Sequence, residues 1–270
     1  MLKFDIKDAR KLLPRRSKSS NKTDGGRTLI IAGSPGLYGA AVLSATAAAR
    51  VGSGYTLLMT DLQQYKFGKH PDFLISEIEL TKIDPNKINA VAVGPGLGVH
   101  ARTLRVIKKL ISLKIKNVVL DADALSVLAK YKLYPLPNSW ILTPHTGELV
   151  RLYGRGKVSS QTALLAVQKK YGCIVVLKGS ETKVFNGHSL TCNQSGNSAL
   201  AKSGTGDVLT GMIAGFLSQG VPPFQAAGLA AFLHGYIADQ WIGKQKDHLS
   251  LLASDLLDAI PQALFKIRNG

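Results

Sequence analysis

Runs of apolar, β-branched residues alternate with helix-period segments along most of the chain. The apolar runs predict buried strands at 28–33, 55–60, 73–78, 90–94, 117–122, 139–143 and 173–179. The segments between them repeat apolar residues at helical spacing and predict helices at 39–52, 101–113, 124–130, 147–154 and 159–172. Strands and helices that alternate in this way predict an α/β fold with a mostly parallel sheet covered on both faces.

The pattern changes toward the C-terminus. Residues 182–193 predict a hairpin in which Asn186 and Gly187 form a type I′ turn. Beyond it the pattern is helical over 206–219, 224–242 and 252–268, and Pro261 is expected to kink the last helix or to start a piece of it. Because no repeat or linker interrupts the chain after residue 27, we expect one domain over residues 1–270, with a basic N-terminal segment at 1–27.

The charge balance is the one unusual feature of the composition. The chain has 34 Lys and Arg against 17 Asp and Glu, a formal net charge of +17, and its first 27 residues carry nine basic and three acidic side chains. Such a charge suits either nucleic-acid binding or attraction of small polyanions such as nucleotides. No ribonucleoprotein-type aromatic pattern or helix-turn-helix spacing supports the first, so we expect no nucleic-acid partner.

The lack of a recognisable targeting signal and the use of cysteine both indicate a protein of the cell interior. The chain has no run of 18 apolar residues, and the N-terminus lacks the apolar core of a secretory signal. Cys173 and Cys192 fall in predicted strands and are expected to be reduced core residues. We therefore expect a cytoplasmic protein with no membrane partner.

Small or polar turns follow nearly every predicted strand. In open α/β sheets ligands bind beyond the carboxyl ends of the strands, so these turns are the candidate site. They read GSPGLYGAA (33–41), GPGLG (94–98), DAD (121–123), TPHTGE (143–148) and KGSET (178–182).

Each candidate has an alternative interpretation. His145 could cap the helix that follows it, Lys178 could be a solvated charge at a sheet edge, and Glu148 could serve the helix dipole or hold a metal ion through water. The spacing Gly96-x-Gly98-x-x-Ala101, with Asp121 after the next strand, is a loose match to a dinucleotide-binding fingerprint.

The sequence GTGD at 204–207 precedes a long apolar helix. Gly204, Thr205 and Gly206 expose main-chain N–H groups where the helix dipole is positive, which suits an anion. A carboxylate at Asp207 would repel a merely bound phosphate, but it could take a proton from a hydroxyl during phosphoryl transfer. N-capping or stabilisation of the helix dipole by Asp207 is the alternative. A Walker A sequence is absent, so the chain is not a P-loop kinase.

The same residues carry a resemblance to a known family. Seven colinear blocks between residues 25 and 265 resemble the ADP/ATP-dependent NAD(P)H-hydrate dehydratases of the ribokinase-like superfamily. They read IIAGSPGLYGAAVLSATAAARVGSGYTLL, VAVGPGLG, VVLDADAL, ILTPHTGELVRL, VVLKGSET, GTGDVLTGMIAGFLSQG and AAFLHGYIAD. The resemblance implies a three-layer α/β/α fold. Since the chain leaves no room for the epimerase domain of bifunctional relatives, it resembles the stand-alone dehydratase.

The resemblance also implies a reaction and its residues. A nucleotide phosphorylates the ring hydroxyl of hydrated NADH or NADPH, and phosphate leaves as the ring double bond re-forms. Asp207 would be the base, and Gly204, Thr205 and Gly206 the anion hole. The substrate would contact Ala40, Gly98, His145 and Asp207, and the nucleotide would contact Lys178, Gly179, Ser180, Glu181, Thr182, Asn197 and Gly206. ADP is the expected donor, with ATP as the alternative, Mg²⁺ would bridge the phosphates, and relatives self-associate, often as tetramers.

Two other functions fit parts of this evidence. A small-molecule kinase of the same superfamily, acting on hydroxyethylthiazole or hydroxymethylpyrimidine phosphate, would share the GTGD sequence but release a phosphorylated product. A charge-driven nucleic-acid binder would need no base at Asp207.

Overall fold

The computed structural model describes residues 2–61, 72–154 and 159–270. Its strands are β1 (Leu2–Phe4), β2 (Arg27–Ile31), β3 (Tyr55–Thr60), β4 (Leu74–Glu77), β5 (Ala90–Val93), β6 (Val118–Leu120), β7 (Ile141–Leu142), β8 (Ile174–Leu177), β9 (Lys183–Phe185) and β10 (Leu190–Asn193). Its helices are α1 (Ile6–Leu12), α2 (Tyr38–Arg50), α3 (Ala101–Ser112), α4 (Asp123–Tyr131), α5 (Thr146–Tyr153), α6 (Ser160–Tyr171), α7 (Thr205–Ser218), α8 (Pro223–Gly243) and α9 (Ala253–Asn269).

The strands form one sheet in the order β1-β10-β9-β8-β7-β6-β5-β2-β3-β4. Only β9 runs antiparallel to its two neighbours, and every other pairing is parallel. The predicted α/β class with a mostly parallel sheet is therefore confirmed. The carboxyl ends of seven parallel strands, β2 to β8, consequently lie along the same edge.

Successive side chains of each central strand point to opposite faces, and each face carries its own apolar core. Ile30 packs in the core formed with α1, α2, α7, α8 and α9. Its neighbours Leu29 and Ile31 pack in the core formed with α3, α4, α5 and α6. This period of two, with helices on both sides, produces the three layers that the sequence predicts.

The N-terminal segment has structure that the apolar pattern did not predict. β1 extends the sheet by pairing with β10, and Phe4 packs on Phe232 with ring centroids 5.9 Å apart. Asp5 caps α1 by accepting from the N–H groups of Lys7 and Asp8. Three strand residues are too few to show an alternation, so sequence analysis described this segment only by its charge.

The hairpin between β9 and β10 corrects one prediction. Phe185 pairs with Leu190, so four residues connect the strands rather than a two-residue type I′ turn. The Asn186 side chain accepts from the main-chain N–H groups of His188 and Ser189, at 2.9 and 2.7 Å. These side-chain bonds replace those of the tight turn.

Three further expectations concern the strand before α4, the proline in the last helix and the two cysteines. The strand predicted at 117–122 is shorter because Ala122 adopts φ +49° and turns the chain into α4. α9 continues through Pro261. Cys173 and Cys192 are buried thiols, as expected of core residues. Among the described residues, no helix is long and apolar enough to cross a membrane.

Helices α2 and α7 pack with almost no side chain between them. A Cβ on Gly211 would overlap the carbonyl oxygen of Ser44, and one on Gly215 would lie 2.7 Å from the carbonyl oxygen of Ala48. Alanines of α2 supply the facing surface. The absence of side chains at Gly211 and Gly215 therefore sets the distance between the two helices.

We expect Gly211→Ala to destabilise the protein by about 1–3 kcal/mol, because the added methyl group must push α7 away from α2. Urea unfolding would measure the loss. Gly243→Ala is the matched control, since a Cβ there meets nothing within 4 Å in a helix. Equal stability of the two variants would show that the helices separate without cost.

Candidate active site

A cavity opens at the carboxyl edge of the sheet, beside the first turn of α7. It has a volume of about 820 Å³, within the range of small-molecule sites. Predicted site residues contribute much of its wall: His145, Lys178, Gly179, Ser180, Thr182, Asn197, Thr205 and Gly206. The structure thus brings together eight of the residues that the sequence singled out.

The start of α7 has the form of an anion-binding loop. Gly204 precedes the helix with φ +89°, and a Cβ there would lie 2.7 Å from Leu43 Cδ1. No side chain caps this helix, and in the described part of the chain the N–H groups of Gly206 and Asp207 have no acceptor. These two amides and the helix dipole can therefore stabilise a phosphate.

Thr205 holds this loop in place through its hydroxyl group and its carbonyl oxygen. Its hydroxyl lies 2.8 Å from the carbonyl oxygen of Leu200 and 2.9 Å from that of Lys202, and its side chain is buried. Its carbonyl oxygen accepts from His234 Nε2 at 2.9 Å. Burial lowers the pKa of His234 to about 4, so its ring is neutral at pH 7 and its Nε2–H donates. The loop is held in place from both sides.

Asp207 is half-buried in the first turn of α7. Burial raises its pKa to about 7, and the nearby carboxylate of Asp121 adds to the rise, while Lys178 opposes it. A carboxylate with a pKa near the working pH is suited to general base catalysis. Asp207 makes no capping hydrogen bond, so the capping interpretation is wrong, whereas its place in the first turn of α7 suits the helix dipole.

Lys178 follows β8, an interior strand, and its side chain is 20% exposed. Its Nζ donates to Asp121 Oδ1 at 2.8 Å and lies 3.9 Å from Glu148 Oε2. Burial alone would lower the pKa of Lys178, but the attraction of Asp121 and Glu148 leaves it above its ordinary value. The interpretation of Lys178 as a solvated sheet-edge charge is therefore wrong.

His145 serves both as a cap and as part of the cavity wall. Its Nδ1 accepts from the N–H of Gly147 at 2.9 Å, and its own N–H donates to Glu148 Oε2 at 2.8 Å. Because Nδ1 accepts, the neutral ring carries its proton on Nε2. The capping interpretation is confirmed, and the half-exposed ring can still donate to a ligand.

Three predicted substrate contacts lie outside this cavity's wall: Asp207, which follows the wall residue Gly206, and Ala40 and Gly98. Ala40 is one turn before Ser44 on α2, and Ser44 Oγ donates to the carbonyl oxygen of Asp207 at 3.0 Å. The N–H of Gly98 donates to Asp123 Oδ2 at 2.8 Å, and Asp123 raises the pKa of Asp207. Ser44 thus lies between Ala40 and Asp207, and Asp123 between Gly98 and Asp207.

Two predicted nucleotide contacts, Glu181 and Asn197, have side chains that bond other protein groups. Glu181 lies outside the cavity wall, and its carboxylate is 3.5 Å from Lys183 Nζ. Asn197 lines the cavity, but its side chain donates to Asp239 Oδ1 and accepts from the N–H of Ala199. Asn197 therefore shapes the loop through its side chain, and its role toward a nucleotide stays a prediction.

Four residues that support the site are Asp121, Asp123, His234 and Asp239. The sequence places Asp121 and Asp123 in a turn after a strand, and only Asp121 is part of a candidate motif, the loose dinucleotide-binding fingerprint. Asp239 Oδ2 accepts from the N–H of Gly196 at 2.9 Å, which ties the Asn197 loop to α8. The fingerprint interpretation of Asp121 is wrong, because this carboxylate is 1% exposed and already bonded to Lys178 and Thr210.

The described residues contain no cluster of three or more His, Cys, Asp or Glu side chains that could hold a metal ion. Mg²⁺ needs only one or two carboxylates when phosphates supply further oxygens, so the carboxylates around Asp207 fit a nucleotide-bound ion. The predicted ligand Glu148 uses Oε2 to accept from His145, which leaves Oε1 for a water-mediated contact.

Comparisons with known proteins show which family this chain resembles. The family model for NAD(P)H-hydrate dehydratase matches residues 28–262. The ADP-dependent (S)-NAD(P)H-hydrate dehydratase of Neisseria meningitidis is 37% identical over 238 residues, which cover 83% of this chain and 80% of that protein. Bifunctional NAD(P)H-hydrate repair enzymes also match, and the chain spans about half of their length.

Two solved structures are similar over nearly the whole chain. The ADP/ATP-dependent NAD(P)H-hydrate dehydratase of Bacillus subtilis, co-crystallised with ATP and Mg²⁺, gives a TM-score of 0.84 at 31% identity and 98% coverage of both chains. A ribokinase-like superfamily protein of Enterococcus faecalis gives 0.90 at 26% identity, covering 100% of this chain and 97% of that one. The ribokinase-like fold is confirmed, and the chain belongs to the NAD(P)H-hydrate dehydratase family.

Proposed function

We propose that this protein uses ADP to dehydrate (S)-hydrated NADH and NADPH, restoring the reduced nucleotides. The observation that carries the proposal is the placement of Asp207, a carboxylate with a pKa of about 7, beside the open amides of the α7 N-terminus. The family membership supports the substrate class, and the cavity beside these amides has room for a nucleotide.

The reaction divides into two steps. Asp207 takes the proton of the ring hydroxyl, whose oxygen attacks the terminal phosphorus of ADP, and the bond to the departing AMP breaks. The amides of Gly206 and Asp207 stabilise the charge on the transferring phosphoryl group. The phosphate then leaves the ring with its oxygen and the electron pair of the C–O bond. The neighbouring carbon loses a proton, so the double bond re-forms and the products are NAD(P)H, AMP and phosphate.

The remaining predicted residues divide between the two ligands. Lys178, Gly179, Ser180, Glu181, Thr182, Asn197 and Gly206 would contact the nucleotide, and Ala40, Gly98, His145 and Asp207 the hydrated ring. Mg²⁺ would neutralise charge on the phosphates, with Glu148 contacting it through water. Each of these assignments is part of the proposal.

Four further properties belong to the same proposal. Residues 1–270 form a single domain, the protein is cytoplasmic, it assembles as a homotetramer, and it has no nucleic-acid partner. Light scattering on the purified protein tests the assembly, and a monomer or dimer would refute it.

We expect Asp207→Asn to reduce kcat by about 10²–10⁴-fold, because the amide keeps the size of the side chain but cannot accept a proton. The assay mixes ADP with hydrated NADH and follows recovery of the nicotinamide absorbance. ADP affinity, measured by calorimetry, should be retained. Asp258→Asn, at a carboxylate whose side chain is 78% exposed, is the matched control.

Two outcomes would contradict the proposal. Full activity of the Asp207→Asn variant would refute the assignment of Asp207 as the base. If the wild-type protein restored no nicotinamide absorbance with either ADP or ATP, the dehydratase reaction would be refuted. Accumulation of a stable phosphorylated thiamine precursor would favour the small-molecule kinase instead.

The raised pKa of Asp207 also predicts how stability depends on pH. In the unfolded chain this carboxyl group loses its proton near pH 3.8, whereas the folded protein keeps it until about pH 7. The folded state therefore binds more protons in this window, and its free energy of unfolding falls as pH rises, by at most about 1.4 kcal/mol per unit.

Asp207→Asn removes this ionisation, so we expect its Tm to exceed that of the wild type by more at pH 8 than at pH 5. Differential scanning calorimetry at the two pH values measures the difference. A Tm difference that stays constant between them would mean that Asp207 ionises in the folded protein as it does in the unfolded chain.

A further inference from the structure

The carboxylates at the site outnumber the single positive charge of Lys178. Its ammonium lies 2.8 Å from Asp121 and 3.9 Å from Glu148, and Asp123 and Asp207 are close enough to interact electrostatically with one another. A nucleoside diphosphate brings several negative charges of its own. Repulsion from these carboxylates would weaken its binding unless another cation lies on the cavity wall.

Lys202 supplies that cation. It lines the cavity two residues before Gly204, and its own carbonyl oxygen is 2.9 Å from the Thr205 hydroxyl, which fixes its main chain beside the anion-binding loop. Within the described ranges, Lys202 Nζ has no carboxylate partner and donates to the neutral carbonyl oxygen of Leu249.

The bond from Lys202 to Leu249 is exposed and made to an uncharged acceptor. Exchange of this carbonyl oxygen for a phosphate oxygen replaces a neutral acceptor of the ammonium with an anionic one, which binds it more strongly. A flexible lysine side chain can make the exchange without moving the loop, because its main chain is held separately by Thr205.

We propose that Lys202 binds the terminal phosphate of the nucleoside diphosphate and so distinguishes the donor ADP from the product AMP. The proposal rests on the proposed function for the identity of the donor. Lys178 then contributes mainly to the structure of the catalytic edge, and Lys202 contributes the charge that the incoming phosphates meet.

Isothermal titration calorimetry with ADP, AMP and adenosine, at fixed Mg²⁺, tests this role. We expect Lys202→Met to weaken ADP binding roughly 10- to 100-fold and adenosine binding not at all, because only the phosphate contact is lost. Lys202→Arg should remain within a few-fold of the wild type. Lys244→Met is the matched control, since that lysine bonds Gln262 on the exposed surface and changes the net charge equally.

Lys202→Gln separates charge from loop support, because glutamine removes the charge but can still donate to a carbonyl oxygen. It should weaken ADP binding as Lys202→Met does. Unchanged ADP affinity in either variant, or an equal loss for adenosine, would overturn the proposal and leave Lys202 as a support for the turn at Leu249. Binding needs no turnover, so a failed dehydratase assay with intact Lys202 dependence would refute the reaction alone.

Discussion

Asp121 receives two hydrogen bonds in the protein interior, one from the Lys178 ammonium at 2.8 Å and one from the Thr210 hydroxyl at 2.7 Å. A buried carboxylate without such partners would cost several kcal/mol. Asp121 follows β6, Lys178 follows β8 and Thr210 belongs to α7, so this contact joins the edge of the sheet to the helix that carries Asp207. The position of the candidate base relative to the cavity depends on it.

The same contact explains why the site can hold several carboxylates. Burial disfavours ionisation of Asp207 most, and the carboxylates of Asp121, Asp123 and Glu148 disfavour it further, so its pKa is raised. Lys178 offsets part of this repulsion, so the pKa of Asp207 stops at about 7 and the side chain can still ionise at neutral pH. With less compensation the carboxyl group would stay protonated, and with more it would be too weak a base to accept a proton.

The sequence predicted the parts of this site that depend on local chemistry. Gly204 and Asp207 could be assigned because an anion loop needs small residues and a base at fixed spacing, and the alternating strands placed the turns at one edge. The roles of Asp121 and Asp239 could not be read in the same way. Their partners are 57 residues away in one case and more than 40 in the other, and no local pattern encodes such contacts. The type I′ turn predicted at Asn186 and Gly187 was wrong because the Asn186 side chain accepts the hydrogen bonds that main-chain groups would make in such a turn.

The location of the excess positive charge limits what it can do for catalysis. Arg16 bonds the carbonyl oxygen of Gly52, and Lys22 lies over the ring of Tyr55, so these two cations of the basic N-terminal segment lie at the start of β3. The cavity lies beyond the other end of the parallel strands, and six residues of β3 span about 20 Å. Since charges are screened over about 8 Å at physiological ionic strength, Arg16 and Lys22 contribute little to the potential that a nucleotide meets at the cavity. Attraction of phosphates by the net charge of +17, which the sequence suggested, therefore has to come from cations on the cavity side of the sheet. Of the lysines that line the cavity, Lys178 is engaged by carboxylates, which leaves the local field to Lys202 and the open amides of α7.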